Sequence, residues 1–351
     1  MDFRVSEAQR ELAEGIRSML AGRLPLERIR AREGEEHVIS ADDWAALGDT
    51  GVFSLTLPEP AGTGLAMSDA AVVFEELGRA LVPGPLVGTF LAACRDLVPG
   101  AAEGRAMVGV MDGGPPWLVE HLSSLDAVLF LPSGGIGGGQ SLLTDIRDVP
   151  GAQRVTTPLD PLTPLWQLTQ LLTPPEPAQS LDLDGEDSDQ GLFRDGAILT
   201  AALQVGHAAQ TLDLAVAYAK EREQFGKPIG SFQAIKHMCA DMLVRAEVAR
   251  AAVHAAACLA DAPDVLAAEA AAARTTPLAW QRRAVAGAKL PADEAAITNA
   301  RVAIQVHGGM GYTWEVPLHL HLKRSRVLAT TFGTSASLST LLGSLARPPA
   351  A

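Results

Sequence analysis

Side chains able to do chemistry are spread along this chain, and their spacing decides which of them could act together. Glu75 and Glu76 stand side by side in the run AAVVFEELGRAL, and paired carboxylates can serve as general acid and base. No base or metal ligand falls near them, so a solvated helix face is the expectation. Glu247 lies between Arg245 and Arg250, the spacing of an exposed ion pair on a helix. His207, His237, His254, His307, His319 and His321 crowd the C-terminal part. His319 and His321 face different sides of a helix and His254 has no acidic neighbour at ligand spacing, so no metal site is expected. Cys94, Cys239 and Cys258 form no CxxC pair, which argues against a zinc site and a disulfide framework. Cys239 and Cys258 fall in the apolar pattern of a helix, as small buried hydrophobes do. The glycine-rich stretch Pro132 to Gly139 lacks the Lys-Ser/Thr of a phosphate-cradling loop and no helix pattern follows it, so it reads as a hairpin loop.

The elements that must position such groups are mostly helices. Phe3, Leu12, Ile16 and Leu20 give one amphipathic stripe, and Trp44, Leu47 and Val52 another. A loop through Leu57-Pro58-Glu59 and Gly62-Thr63-Gly64 precedes a helix over Ala70 to Leu81. Between Arg105 and Asp195, β-like runs at Ala106–Met111, Ala127–Leu131 and Ser141–Ile146 are separated by Gly, Pro and Asp. They predict a small antiparallel β-domain. Beyond it Val205, Ala209, Leu212, Val216 and Ala219 mark a helix, followed by a turn through Arg222, Phe225, Gly226, Pro228 and Gly230, with Ser231 as the expected N-cap. Ile235, Met238, Cys239, Met242, Ala246, Ala249 and Val253 then line one face of a second helix. Pro277 should kink or break the helix running from Asp264 to Lys289, and a helix from Ala292 to His307 should close on Gly308-Gly309. The fold class expected is mainly α with a small β-domain. Its divisions are an N-terminal helical domain (1–104), a small β-domain (105–195) and a C-terminal helical part (196–351).

The chain has 351 residues, 48% of them hydrophobic but only 5% aromatic, a composition that suits closely packed Ala-rich helices. A formal charge of −13 argues against nucleic acid or an anionic membrane as partner. The first residues carry charges throughout and no apolar run approaches a membrane span, so a cytoplasmic location is expected.

The helix pair joined by Arg222-x-x-Phe225-Gly226, the later run AIQVHGGMGYTWEVP and the EELGRA helix together resemble the acyl-CoA dehydrogenase family. The resemblance implies FAD as cofactor and removal of an α-proton from an acyl-CoA by a carboxylate while the flavin takes the β-hydride. It also implies a C-terminal four-helix bundle, a middle β-domain reduced beside the family's own, and a cofactor lying across a subunit interface. By this resemblance Arg222, Gln224, Phe225, Gly226, Phe232, Gln233, Gln305, Gly308 and Gly309 contact the adenosine and diphosphate of FAD bound mainly to a neighbour. An arginine is a fixed cation for a diphosphate, and glycines let the backbone approach closely.

Two family features are missing. The Thr-Glu-Pro and Gly-Ser-Asp motif of the β-domain has no counterpart, and the Tyr-Glu-Gly-Thr run that carries the base reads Thr331-Phe332-Gly333-Thr334. A phenyl ring accepts no proton. Some members carry the base on the second signature helix, where Asp261 is the one substitute candidate, although Asp-Ala-Pro more often marks a helix end. No catalytic residue is therefore assigned. What the resemblance implies is the base-lacking subunit of a heteromeric enzyme, of the kind that degrades steroid side chains as CoA thioesters. Its partners would be a second, base-carrying subunit in an α2β2 assembly, the acyl-CoA and an electron-transfer flavoprotein. Two alternatives stay open: a self-sufficient homo-oligomeric flavin oxidase, monooxygenase or dehydrogenase on the same fold, and a structural protein without flavin.

Overall fold

Caps and apolar stripes account for the first helices. The computed structural model describes residues 4–112, 117–131, 142–145, 151–168, 179–180 and 189–346; Phe3 and the Pro132 to Gly139 loop lie outside them. Helix α1 (Glu7–Arg23) starts at Ser6, whose hydroxyl accepts from the Gln9 amide while the Gln9 side chain accepts from the Ser6 amide, a reciprocal cap. Its Ile16 and Leu20 are buried in the same apolar core as Trp44 and Leu47 of α3 (Ala41–Asp49), and the short α2 (Leu26–Arg30) links the two in sequence. Helices α4 (Met67–Arg79) and α5 (Leu86–Ala93) complete this part.

The expectation of a solvated acidic face on α4 is corrected. Glu76 is buried and takes two hydrogen bonds from the Arg17 guanidinium of α1, at 2.7 and 2.8 Å. Glu75 is paired with Arg250 at 2.8 Å. Helix α4 packs against α1 on one side and against later helices on another, so both acids meet partners that lie far away in sequence.

Among the described residues seven short strands follow: β1 (Val108–Asp112), β2 (Trp117–Glu120), β3 (Ala127–Leu131), β4 (Leu142–Asp145), β5 (Ala152–Arg154), β6 (Leu165–Leu168) and β7 (Gln179–Ser180). They form one sheet in the order β1-β3-β4-β7 and another in the order β2-β6-β5. The pairing is mixed rather than antiparallel throughout. Strands β1 and β3 run parallel, with Val108 opposite Ala127, because the chain makes an excursion through β2 into the second sheet before re-entering the first.

The C-terminal part is built on α6 (Asp189–Glu221), α7 (Gln233–Ala260), α8 (Pro263–Ala272), α9 (Pro277–His307), α10 (Leu318–Leu328) and α11 (Ser335–Leu345). Helix α6 is surrounded by α4, α7 and α9, which is why the stretch from Gly191 to Ala209 is buried on every side. Its crossing with α4 depends on glycine: a Cβ at Gly78 would collide with the Leu203 carbonyl, and one at Gly206 with the Glu75 carbonyl.

Two local expectations change and one holds. Ser231 lies in a 3-10 turn, and the residue at the N-cap of α7 is Phe232, with no side-chain cap. The helix does break before Pro277: α8 stops at Ala272 and Pro277 opens α9 as N1 under a Thr276 cap. The helix expected from Ala292 begins there instead and runs straight through Pro291. The carbonyl that the Pro291 ring crowds belongs to Gly287. Ala288, Ala292, Ala295 and Ala296 are buried around the proline and hold the helix in place. Inside the bundle Lys289 Nζ lies 2.7 Å from Asp293 Oδ2, and Gln204 Nε2 donates to Asp293 Oδ1 and to the Ser325 carbonyl, both at 2.9 Å. This buried set ties α6, α9 and α10 together.

Candidate functional site

The turn after α6 is a two-residue hairpin, β8 (Glu223–Gln224) against β9 (Lys227–Pro228), with Gln224 opposite Lys227. Its two loop residues are Phe225 (φ 54°) and Gly226 (φ 75°), the pair of positive φ angles that a type I′ turn demands. Gly226 adopts this freely, whereas Phe225 is strained. The result is an aromatic ring 90% exposed. The Ile229 N–H donates to the Arg222 carbonyl at 2.8 Å, which fixes the turn against the helix end. Gly230 is required because a Cβ there would lie 2.8 Å from the Ala219 carbonyl. Phe232 meets Phe225 edge-on at 6.0 Å and carries the Lys227 ammonium 4.5 Å above its ring. Arg222 and Gln233 are exposed. Gln224 turns its amide onto the Glu223 carbonyl.

The second motif sits at the end of α9. Gly308 takes φ 60° as the C-cap, and the chain continues as a 3-10 turn to Tyr312. Gln305, Gly308 and Gly309 are exposed, with nothing near the glycines that a side chain would meet. The two motifs are brought to one end of the bundle. Tyr218, one helical turn before Arg222, stacks on His307 with ring centroids 4.1 Å apart. Beneath them Ala215, Ala219, Met242, Ala303, Val306 and Leu318 form a separate apolar cluster. Tyr312 (80% exposed) and Met310 (38%) extend the patch. Large apolar side chains gathered on a surface mark a contact for something else. An exposed guanidinium, a flat ring and open glycine backbone could hold a dinucleotide approached from outside.

At the position expected for a base, Phe332 is 2% exposed. Its ring lies on Gly196 of α6, where any Cβ would collide with it, and meets the Phe193 ring at 6.0 Å. Asp261 is not poised for proton transfer either. It ends α7 and accepts from the Met67 and Ser68 amides at 2.7 and 2.9 Å, so it caps α4 from another helix. Asp261→Ala should lower stability by about 0.5–2 kcal/mol, the usual value of a lost cap, while Asp261→Asn leaves turnover of the assembled enzyme within a few-fold. Urea denaturation and steady-state rates check this; a rate loss of about two to four powers of ten would make Asp261 a base after all. Glu247 pairs with Arg250 as expected. Cys94, Cys239 and Cys258 form no disulfide and are half-buried, and the described residues contain no group able to hold a metal.

A buried polar cluster escaped the sequence reading. Arg324 of α10 pairs with Asp160 and donates to the Leu162 carbonyl at 3.0 Å. Nδ1 of His207 lies 2.9 Å from Nδ1 of His321, so one ring donates and the other accepts. Burial, reinforced by Arg324, holds His321 down at about 3 and His207 well below its usual value. Burial raises Glu120 to about 7, partly opposed by Arg324. Asp112, at the end of β1, accepts from the Phe332 amide at 2.6 Å. Nothing in their local spacing could have joined these residues, which come from three separate parts of the chain.

Family models for the N-terminal and C-terminal domains of acyl-CoA dehydrogenase match residues 6–98 and 184–344. The acyl-CoA dehydrogenase IpdE2 of Mycolicibacterium smegmatis is 35% identical over 337 residues, covering 94% of this chain and 96% of that protein. FadE34 of Mycobacterium tuberculosis, also an acyl-CoA dehydrogenase, is 35% identical over 93% of this chain but only 46% of its own length. Among solved structures, the Tcur3481-Tcur3483 steroid ACAD superposes with a TM-score of 0.76 at 25% identity, covering 97% of this chain and 98% of that one. No single described helix is long and apolar enough to cross a membrane. With both ends matched by family models and IpdE2 aligned along almost its whole length, this chain belongs to the acyl-CoA dehydrogenase family.

Proposed function

We propose that this chain is the base-lacking subunit of a heteromeric acyl-CoA dehydrogenase, which contributes the adenosine and diphosphate side of a shared FAD site. The carrying observation is a division within one fold. The residues that would hold FAD are intact and turned outward, with Phe225 90% exposed, whereas the position of the base is filled by a buried Phe332. A complete homo-oligomeric dehydrogenase would need both. When bound, FAD supplies the hydride acceptor for α,β-dehydrogenation of the acyl-CoA. This chain's part is to neutralise the diphosphate with Arg222, to offer Phe225 as an apolar wall, and to admit the cofactor closely at Gly308 and Gly309. The proton leaves to a carboxylate on the partner.

The partner is of the same fold. FadE34 supports this, because the length left over beside the aligned 46% is enough for a second unit of this size. The steroid ACAD supports a bulky, ring-bearing acyl group. An α2β2 arrangement and an electron-transfer flavoprotein as electron acceptor complete the reading.

Co-expression tests it. The isolated chain should be insoluble or flavin-free, and the chain produced with its partner should give a yellow complex that keeps FAD through dialysis. Stoichiometric, tightly held FAD on the isolated chain would instead establish a self-sufficient flavoenzyme.

A further inference from the structure

The segment that carries the second motif is tied to a distant part of the chain. It runs from Gly308 through the 3-10 turn to Tyr312 and on to Pro317, the N-cap of α10. Several of its ties are local. The Thr313 amide and hydroxyl both donate to the Met310 carbonyl, at 3.0 and 2.8 Å. Gly311 lies on the Ile304 carbonyl, where a Cβ would collide. The Trp314 ring meets His319 edge-on and carries the Lys323 ammonium 4.5 Å above it. Arg30, the last residue of α2, makes the remote tie. Its guanidinium donates from Nη1 to the Glu315 carbonyl at 3.3 Å and from Nη2 to the Trp314 carbonyl, while Nε donates to Glu33 at 3.0 Å. The bond to Glu33 keeps the planar fork in line with two successive carbonyls. Beside this contact an open groove of about 550 Å³ lies between α2 and the segment, lined by Leu26, Ala31, Trp314 and Pro317 among others. Packing does not close the junction there; the guanidinium bridges it.

Resting on the subunit reading above, we propose that Arg30 is a positioning residue for the FAD half-site. It touches no cofactor. By holding the Trp314 and Glu315 carbonyls it fixes the far end of the segment whose near end is Gly308 and Gly309. The N-terminal helices thereby set how those glycines meet the adenosine and diphosphate. Released at one end, the segment spends only part of its time in the arrangement that admits the dinucleotide, and affinity falls by that fraction.

FAD titrations of the assembled complex, followed by flavin fluorescence, test this. Arg30→Ala should weaken FAD binding about three- to ten-fold, the loss given by a segment competent roughly a tenth to a third of the time. Arg30→Lys should recover part of it, since an ammonium reaches one carbonyl without the fork. Arg28→Ala is the matched control. It removes a guanidinium of the same helix, paired with Asp43 at 2.8 Å, and should leave FAD affinity at the wild-type level. In the Arg30→Ala background Gln305→Ala should cost less than in wild type, because two changes that act on one site do not add. Wild-type affinity in Arg30→Ala would overturn the proposal. Equal losses in Arg30→Ala and Arg28→Ala, as a general loosening of α2 would give, would overturn it too, and so would strict additivity with Gln305→Ala. Where Arg30→Ala does not assemble, Arg30→Gln, too short to reach the carbonyls, gives the same reading. Arg222→Ala separates the two levels of failure. If it loses FAD and Arg30→Ala does not, only the role of Arg30 has failed; if both keep full affinity, the subunit reading has failed with it.

Discussion

Arg222→Ala is expected to weaken FAD binding by the assembled complex about ten- to a hundred-fold while the two kinds of subunit still associate. Arg222 is exposed at the end of α6, clear of the apolar cluster that supports the turn, so its removal leaves the hairpin standing. A charge-assisted hydrogen bond is worth roughly 1.5–3 kcal/mol, which converts to about one to two powers of ten in affinity. Arg222→Lys should recover part of the loss, since it returns the charge without the planar fork. Gln305→Ala should cost less, because a neutral hydrogen bond contributes less. Flavin retained after dialysis is the measurement, with sedimentation to show that the complex is intact. Unchanged retention in an intact complex would mean that this turn does not touch the cofactor, and a structural subunit without a flavin role would then be the better description.

Lys289→Ala should be the most destabilising single change in the helical bundle, by about 3–5 kcal/mol. The Lys289 side chain is 0% exposed and its partner Asp293 2%. Removing the cation leaves a carboxylate desolvated beside Gln204, with burial pushing its pKa up and no cation opposing it. Replacing both members with apolar side chains of similar size, as in Lys289→Met with Asp293→Leu, should be far milder, because no unpaired charge remains. Chemical denaturation of the complex reads both. A loss below about 1 kcal/mol for Lys289→Ala would place this pair with exposed ion pairs. Helix α9 carries Gln305 and leads into Gly308 and Gly309, the residues proposed to hold flavin, so loosening the bundle here should also lower flavin retention.

Helix by helix, much of the architecture was legible. Periodic apolar residues located α1, α3, α4, α6 and α7, and the β-like runs located β1, β3 and β4, because burial on one face leaves a local rhythm in the chain. Boundaries were less legible. A helix is expected to start at Ala292, yet α9 arrives there through Pro291, since packing on both sides outweighs the missing hydrogen bond. Ser231 reads as a cap, yet the hairpin geometry places Phe232 there.

The candidate site divides in the same way. Residue identities alone determined that Arg222, Phe225, Gly226, Gln305, Gly308 and Gly309 are present and that phenylalanine stands where a glutamate would be. Only the tertiary structure decided what those residues do to one another. It stacked Tyr218 on His307 and so set two distant motifs at one end of the bundle. It turned Asp261 from a possible base into a cap on α4, and Glu75 and Glu76 from a wet face into ion-paired partners of Arg250 and Arg17. It also set Asp112 behind Phe332. The physical reason is common to all of these. Periodicity reports which face of a segment avoids water, whereas hydrogen bonds and ion pairs depend on which remote segment arrives at that face, and that is chosen by packing of the whole chain.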